Sequence, residues 1–92
     1  MIRTFKCKDT RALFETGRSI RFGAIAKIAS RKLDMVDAAK QLRDLASPPG
    51  HRLEALKRDR AGQHATRIND QWRICFVWRD DAVEDVEIVD YH

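Results

Sequence analysis

One eight-residue stretch, QWRICFVW at 71–78, restricts the possible folds of this chain more than any other segment. Apolar and other residues alternate along it with a period of two, which is the side-chain period of a β-strand. One face would carry Trp72, Ile74, Phe76 and Trp78, and the other would carry Arg73, Cys75, Val77 and Arg79. A face this uniformly apolar must be covered by other elements, so the stretch predicts a sheet packed on one side.

Two more strands are predicted around this one. HATRIND comes before it and VEDVEIVDY follows it, each with apolar and polar residues in strand-like patterns. An Asn69-Asp70 turn and an Asp80-Asp81 turn join the three segments. The C-terminal half is therefore predicted to form a three-strand antiparallel meander.

Helical patterns in the N-terminal half predict the covering layer. Asp9 or Thr10 can cap a helix over about residues 10–16, and Gly17 is its expected end. Apolar residues at spacings of three and four predict a second helix over about 23–46, ended by the prolines of SPPG at 47–50. Residues 51–62 are predicted to form one helical turn and then a basic loop.

With a short first strand in MIRTFKC, the predicted fold is α+β: β-α-α followed by the meander, with both helices on one face of the sheet. A chain of 92 residues is expected to form a single domain, residues 1–92. It shows no signal peptide and no stretch long enough to span a bilayer, so we expect a cytoplasmic protein with reduced thiols. Cys7 and Cys75 are interpreted as small structural residues.

Charge is unevenly distributed along the chain. Residues 1–79 hold all 18 Lys and Arg but 8 of the 14 Asp and Glu, and residues 80–92 hold the other 6 acidic residues. A basic body suits a phosphate-rich partner, and it suits an acidic antagonist equally well.

The combination of RLEALK, DRAGQHATRINDQWRICF and a terminal VEIVDYH resembles the HigB branch of the RelE/ParE toxin superfamily, over nearly the whole chain. The resemblance implies a RelE-like fold and a toxin of a type II toxin-antitoxin pair. It further implies a ribosome-dependent mRNA endonuclease that cuts mRNA in the A site, and a helix-turn-helix (HigA-like) antitoxin as partner. No cofactor and no membrane partner are implied.

Carried over by position, the implied cleavage site comprises Lys57, Arg73, Asp90, Tyr91 and His92. Several family members have histidine where this chain has Glu54, and the nearest histidine here is His51. Glutamate can also take a proton, so Glu54 is the candidate base.

Metal-free RNA cleavage needs a base for the 2′-hydroxyl, cations for the phosphate and an acid for the leaving 5′-oxygen. His92 is assigned as the acid, since Asp90 and the terminal carboxylate would favour its protonated form. Glu54 and Lys57, three residues apart, would point the same way from a helical turn. In a regular strand Tyr91 would lie on the face opposite Asp90 and His92, so the three can act together only through a bulge, a twisted strand end or a role of Tyr91 in stacking on a base.

Several alternatives stay open at this point. Arg73 could pair with Asp90 or another acid across the sheet instead of binding phosphate. Arg58, Arg60 and Arg67 are candidate contacts with ribosomal RNA or the mRNA backbone, or else belong to a solvated surface. His51 and His64 are expected at the surface, with a metal site of His51, His64, Asp90 and His92 as a minor alternative. The competing function is a non-catalytic toxin, either a ParE-like gyrase inhibitor or a ribosome-binding protein.

Overall fold

The computed structural model describes residues 1–46 and 51–90. Two α-helices, α1 (Lys8–Thr16) and α2 (Ala26–Ala38), precede four strands: β1 (Glu54–Ala55), β2 (His64–Arg67), β3 (Trp72–Arg79) and β4 (Ala82–Asp90). The strands form one antiparallel sheet in chain order. The predicted α+β class, with helices on one face of an antiparallel sheet, is confirmed.

The core lies between the helices and the apolar face of β3. Ile74 and Phe76 are fully buried, and Trp72 and Trp78 pack against the same cluster. From the helices, Leu13, Leu33 and Val36 meet this face, as the alternating pattern of β3 predicted. Neither helix among the described residues has the length and apolar character required to cross a bilayer.

The N-terminal segment does not form the regular strand predicted for MIRTFKC. It contacts β4 through two isolated parallel bridges, Ile2 to Val83 and Phe5 to Val86. Between these bridges Asp85 has a φ of 53°, and β4 shifts its register against β3 in the same region. Such a bulge interrupts a continuous ladder. The Thr4 hydroxyl accepts the Asp85 N–H at 2.9 Å and so fixes the irregular segment.

The first helix ends where the sequence predicted. Gly17 has a φ of 74°, a left-handed conformation that favours glycine, and its N–H donates to the Leu13 carbonyl at 2.8 Å. The helix begins at Lys8 rather than at 10, and neither Asp9 nor Thr10 is its N-cap; Cys7 is. Thr10 is buried instead, and its hydroxyl accepts the N–H of Ile88 in β4 at 3.0 Å.

The second helix is shorter than the predicted 23–46. It ends at Ala38, because Ala39 is extended and the carboxylate of Asp44 accepts the N–H groups of Lys40 and Gln41, at 3.1 and 3.0 Å. These bonds cap a separate 3-10 turn, Leu42–Ala46, whose Leu45 still reaches the core. The SPPG segment at 47–50 lies outside the described residues.

The predicted helical turn in 51–62 is wrong. Glu54 and Ala55 pair instead with Ala65 and His64, which adds β1 as a fourth strand. The chain then passes through a 3-10 turn, Arg58–Arg60, and the Leu56 N–H donates to the Gln63 carbonyl at 2.9 Å. Sheet pairing with a segment ten residues later replaces the local helical bonds.

Candidate RNA-binding groove

A groove of about 450 Å³ lies on the face of the sheet opposite the helices. Strand β1, the following turn and the end of β4 surround it. Its lining residues are Glu54, Ala55, Leu56, Lys57, Arg58, Arg60, Cys75, Val89 and Asp90. Three of the predicted catalytic residues, Glu54, Lys57 and Asp90, thus share one groove with two of the predicted RNA-binding residues, Arg58 and Arg60.

A row of paired residues crosses the floor of this groove. Glu54 pairs with Ala65, Ala65 with Cys75, and Cys75 with Glu87. Directly paired residues of antiparallel strands point to the same face. Glu54 and Glu87 therefore lie at opposite ends of one row, with the buried Cys75 between them. Burial raises the pKa of the Cys75 thiol, and the nearby Arg60 opposes that shift.

The turn after β1 supplies the cations above the floor. Lys57 and Arg58 are exposed and both line the groove. Arg58 has a φ of 59°, in the left-handed region that a non-glycine residue occupies at a cost of roughly 1–3 kcal/mol. Glu54 and Lys57 line the same groove, but a strand followed by a turn brings them together, not the predicted helical turn.

Arg60 is the most constrained cation of the groove. Its Nη1 donates to Oε1 of Glu87 at 2.8 Å and to Oε1 of Gln63 at 3.1 Å. The hydrogen bond that Arg60 donates to Glu87 raises the pKa of Arg60, and partial burial opposes this.

Arg73 lies on the groove face of β3, where it is half-buried and pairs with Arg67 on one side and Val89 on the other. Its Nη1 donates to the Asn69 carbonyl at 2.7 Å. This bond holds the guanidinium over the turn that connects β2 to β3. Arg67 forms an ion pair with the exposed Asp70 in the same turn.

Asp90 is the last residue of β4 and pairs with Trp72 at the end of the β3–β4 ladder. One of its carboxylate oxygens accepts the Nε2 amide of Gln71 at 3.2 Å. Tyr91 and His92, the other two predicted residues of the terminal motif, lie outside the described residues.

His51 is fully buried, so its predicted surface position is wrong. Its Nδ1 lies 3.3 Å from the Lys32 ammonium, which can only donate, so the ring is neutral and Nδ1 accepts. Burial, and secondly the charge of Lys32, lowers its pKa to about 4. His64 is half-buried and stacks on Phe76, with ring centroids 6.2 Å apart.

The described residues contain no group of three or more His, Cys, Asp or Glu side chains arranged to hold a metal ion. His51 and His64, two members of the metal site considered above, have different neighbours, Lys32 and Phe76.

Sequence reasoning missed three residues of this region: Cys75, Glu87 and Gln63. The alternation of β3 already placed Cys75 on the face opposite the core, which was the available signal for its position in the groove. Glu87 and Gln63 could not be found in this way, because their positions depend on the strand register and on the turn at 58–60.

Comparison with known proteins agrees with this architecture. A family model described as the RelE-like toxin of type II toxin-antitoxin system HigB matches residues 3–92. Toxin HigB-1 of Vibrio cholerae serotype O1 is 35% identical over 82 residues, covering 87% of this chain and 86% of that protein. Endoribonuclease HigB of Proteus vulgaris is 30% identical over 95 residues, with both chains fully covered.

Among solved structures, the heterotetrameric YoeB-YefM toxin-antitoxin complex from Staphylococcus aureus contains a chain that aligns with a TM-score of 0.59. The alignment covers 100% of this chain and 98% of that one, at 16% identity, so it supports the fold alone. The match of the family model to residues 3–92 shows more: this chain belongs to the HigB-like family of RelE-type toxins of type II toxin-antitoxin systems.

Proposed function

We propose that this toxin is an endoribonuclease that cleaves mRNA in the ribosomal A site and thereby inhibits translation. The observation that carries the proposal is the groove, in which an acid, Glu54, faces the cations of the 57–60 turn and the end of β4. A relative 30% identical over its full length is named an endoribonuclease, which supports the same class of reaction.

The proposed reaction needs no metal ion. Glu54 removes the proton of the 2′-hydroxyl, whose oxygen attacks the adjacent phosphorus. Lys57 and Arg73 stabilise the negative charge of the pentavalent phosphate. The bond from phosphorus to the 5′-oxygen breaks, and His92 donates a proton to that oxygen. The products are a 2′,3′-cyclic phosphate and a 5′-hydroxyl.

The remaining groups of the terminal motif have supporting roles in this proposal. Asp90, fixed at the end of the ladder by Gln71, favours the protonated form of the following His92. Tyr91 stacks on a base next to the scissile phosphate. Arg58 and Arg67 contact the RNA backbone beyond the cleaved bond.

The shape of the groove supports the proposed dependence on the ribosome. It is formed by a sheet face and one short turn, with few groups to hold a flexible RNA strand in line for attack. Proper alignment of reacting groups contributes about 7–11 kcal/mol to well-oriented intramolecular reactions. We propose that the ribosome supplies that alignment by presenting the mRNA in its A site.

The family is defined by toxin-antitoxin pairs, so an antitoxin is the expected protein partner. We propose a HigA-like antitoxin with a helix-turn-helix domain, encoded beside the toxin. The basic residues in 1–79 offer a surface for acidic groups of such a partner.

Lys57→Ala provides the test, with Lys27→Ala as matched control. Both lysines are exposed, but Lys27 lies on helix α2 and Lys57 in the groove. We expect Lys57→Ala to reduce single-turnover cleavage of mRNA on programmed ribosomes by about 10²-fold or more, and Lys27→Ala to have little effect.

Equal losses of cleavage in the two variants would show that cleavage depends only on the overall positive charge of the protein. Arrested translation with intact mRNA under the wild-type protein would support the alternative, a toxin that binds the ribosome without cleaving. Inhibition of gyrase, with ribosomes unaffected, would support a ParE-like activity.

A further inference from the structure

Glu87 is an acidic residue next to Cys75 and Arg60, two residues that line the groove proposed to bind RNA. Its side chain is 15% exposed, and it lies opposite Cys75 on the groove face of β4. Its carboxylate pairs with Arg60 at 2.8 Å and lies 4.0 Å from the Lys6 ammonium. A negative charge in such a place opposes phosphate binding, so the attraction of phosphate to a basic groove does not explain it.

The bonding of Arg60 suggests a reason. The guanidinium carries five N–H groups in a rigid planar fork. Its hydrogen bonds to described side chains, Glu87 and Gln63, both use Nη1. The edge formed by Nη2 and Nε therefore stays available to bind an oxyanion while the other side of the group is held.

The held guanidinium reaches over the floor of the groove. Its positive charge acts on the thiol of Cys75, the residue paired with Glu87 in the ladder. The Arg60 side chain is 39% exposed and lines the groove, so a bound phosphate could reach it there. A long side chain fixed in this way has already lost the rotamer freedom that phosphate binding would otherwise remove.

We propose that Glu87, together with Gln63, is a positioning residue that holds Arg60 over the groove floor so that its Nη2–Nε edge binds an RNA phosphate. This inference rests on the proposed RNA cleavage. Arg60 is then a phosphate-binding residue of the groove itself, and not one of the outer contacts with ribosomal RNA.

The sign of one substitution separates positioning from electrostatics. Glu87→Ala removes a negative charge, so a purely electrostatic groove would bind and cleave RNA better. Positioning predicts the opposite, because Arg60 becomes mobile. Glu87→Gln loses the charge but keeps an oxygen that accepts the Arg60 N–H, so we expect it to retain most of the activity.

Glu84 offers a matched control on the same strand. Its side chain is also 15% exposed and also pairs with arginines, Arg3 and Arg79. Glu84→Ala thus tests the loss of a half-buried, arginine-paired carboxylate from β4 outside the groove. Thermal unfolding of every variant confirms that the folded protein is being compared.

Single-turnover cleavage on programmed ribosomes measures the effect. We expect Glu87→Ala to slow cleavage by about 10- to 100-fold, the scale of a misplaced catalytic contact, and Glu84→Ala and Glu87→Gln to stay within about threefold of wild type. In an Arg60→Ala background, Glu87→Ala should cause no further loss, since the two residues act as one unit. Wild-type or faster cleavage by Glu87→Ala, or an equal loss in the Arg60→Ala background, would overturn the proposal.

A second measurement does not depend on activity. In ¹⁵N-labelled protein, the Arg60 Nε–Hε signal, assigned by its loss in Arg60→Lys, should have an order parameter near that of rigid groups in wild type and Glu84→Ala and a clearly lower one in Glu87→Ala, because the guanidinium is then no longer held. Equal order parameters in all three would refute positioning even if cleavage changed. If the wild-type protein cleaves no mRNA on ribosomes, the proposed function fails, while this measurement still decides whether Glu87 holds Arg60.

Discussion

His51 shows how the environment of one residue determines its chemistry. The ring is completely buried and accepts a hydrogen bond from Lys32, an arrangement possible only for neutral imidazole. Its Nε2 atom has no hydrogen-bond partner among the described residues. A proton added to Nδ1 would break the bond to Lys32 and place two positive charges side by side.

Stability should therefore fall in acid. The pKa of His51 is about 4 in the folded protein, below the ordinary value of 6.5, so the unfolded chain takes up a proton first as the pH falls. The contribution of the neutral His51 ring to the free energy of unfolding is constant above about pH 6.5. It is lost progressively as the pH falls to about 4, by up to about 3 kcal/mol.

Urea unfolding of wild type and His51→Leu at pH 7.5, 6 and 5 measures this contribution. The difference in unfolding free energy between the two proteins should shift in favour of His51→Leu as the pH falls. A difference that does not vary with pH would show that His51 is protonated equally in the folded and unfolded chains.

At the scale of elements, helix α1 supports the strand that ends at Asp90. The Thr10 hydroxyl accepts the N–H of Ile88, two residues before that end, and both residues are buried. The N-terminal segment forms bridges with the outer edge of β4 at Val83 and Val86. Beyond them, the Thr10 hydroxyl provides the hydrogen-bond acceptor for the N–H of Ile88. An unpaired buried N–H at this position would cost about 1–3 kcal/mol.

A comparison of two buried threonines, Thr10 and Thr66, tests this role of Thr10. Thr66 is also buried, but its hydroxyl has no hydrogen-bond partner among the described residues. Thr10→Val should lower the free energy of unfolding by about 1–3 kcal/mol, whereas Thr66→Val, which removes an unpaired hydroxyl, should be neutral or stabilising. Chemical denaturation of the two variants decides this, and equal losses would contradict the assigned role of Thr10.

Local sequence patterns were sufficient to predict the structure where one period or one residue type dominates. The alternation in β3, the end of α1 at Gly17 and the turn at Asp80-Asp81, where both residues have positive φ, all follow from short-range rules. Residues 51–62 were predicted incorrectly because Leu53 and Leu56 have a helical spacing, while the pairing of Glu54 with Ala65 is a longer-range contact.

The same distinction applies to the groove. Glu54 and Lys57 were predicted to lie together with the help of a family resemblance, and both line the groove, although the helical turn assumed for them was wrong. The Arg60–Glu87 pair spans 27 positions and depends on the register of β3 and β4. The buried position of His51 was not predicted either, because it depends on contacts such as that with Lys32, 19 positions away.

At the scale of the whole molecule, the two faces of the sheet have separate tasks. One face packs against the helices and forms the core, and the other carries the groove with its charged side chains. Substitutions of exposed groove residues should therefore change activity with little change in stability, since they remove few core contacts. The proposed function assigns the cleavage chemistry to Glu54 and Lys57 of the groove, to Arg73 on the same face of the sheet, and to the C-terminal residues from Asp90 onward.

The most direct test of the central claim is single-turnover cleavage on programmed ribosomes of two mRNAs, one ordinary and one with a 2′-deoxynucleotide at the cleaved position. EDTA is included at a concentration that leaves the ribosomes sufficient magnesium. The proposed mechanism predicts that the ordinary mRNA is cut to a 2′,3′-cyclic phosphate and a 5′-hydroxyl, that free mRNA stays largely intact, and that the 2′-deoxy mRNA is not cut. Cleavage of the 2′-deoxy mRNA at the wild-type rate, or halted translation with both mRNAs intact, would contradict it.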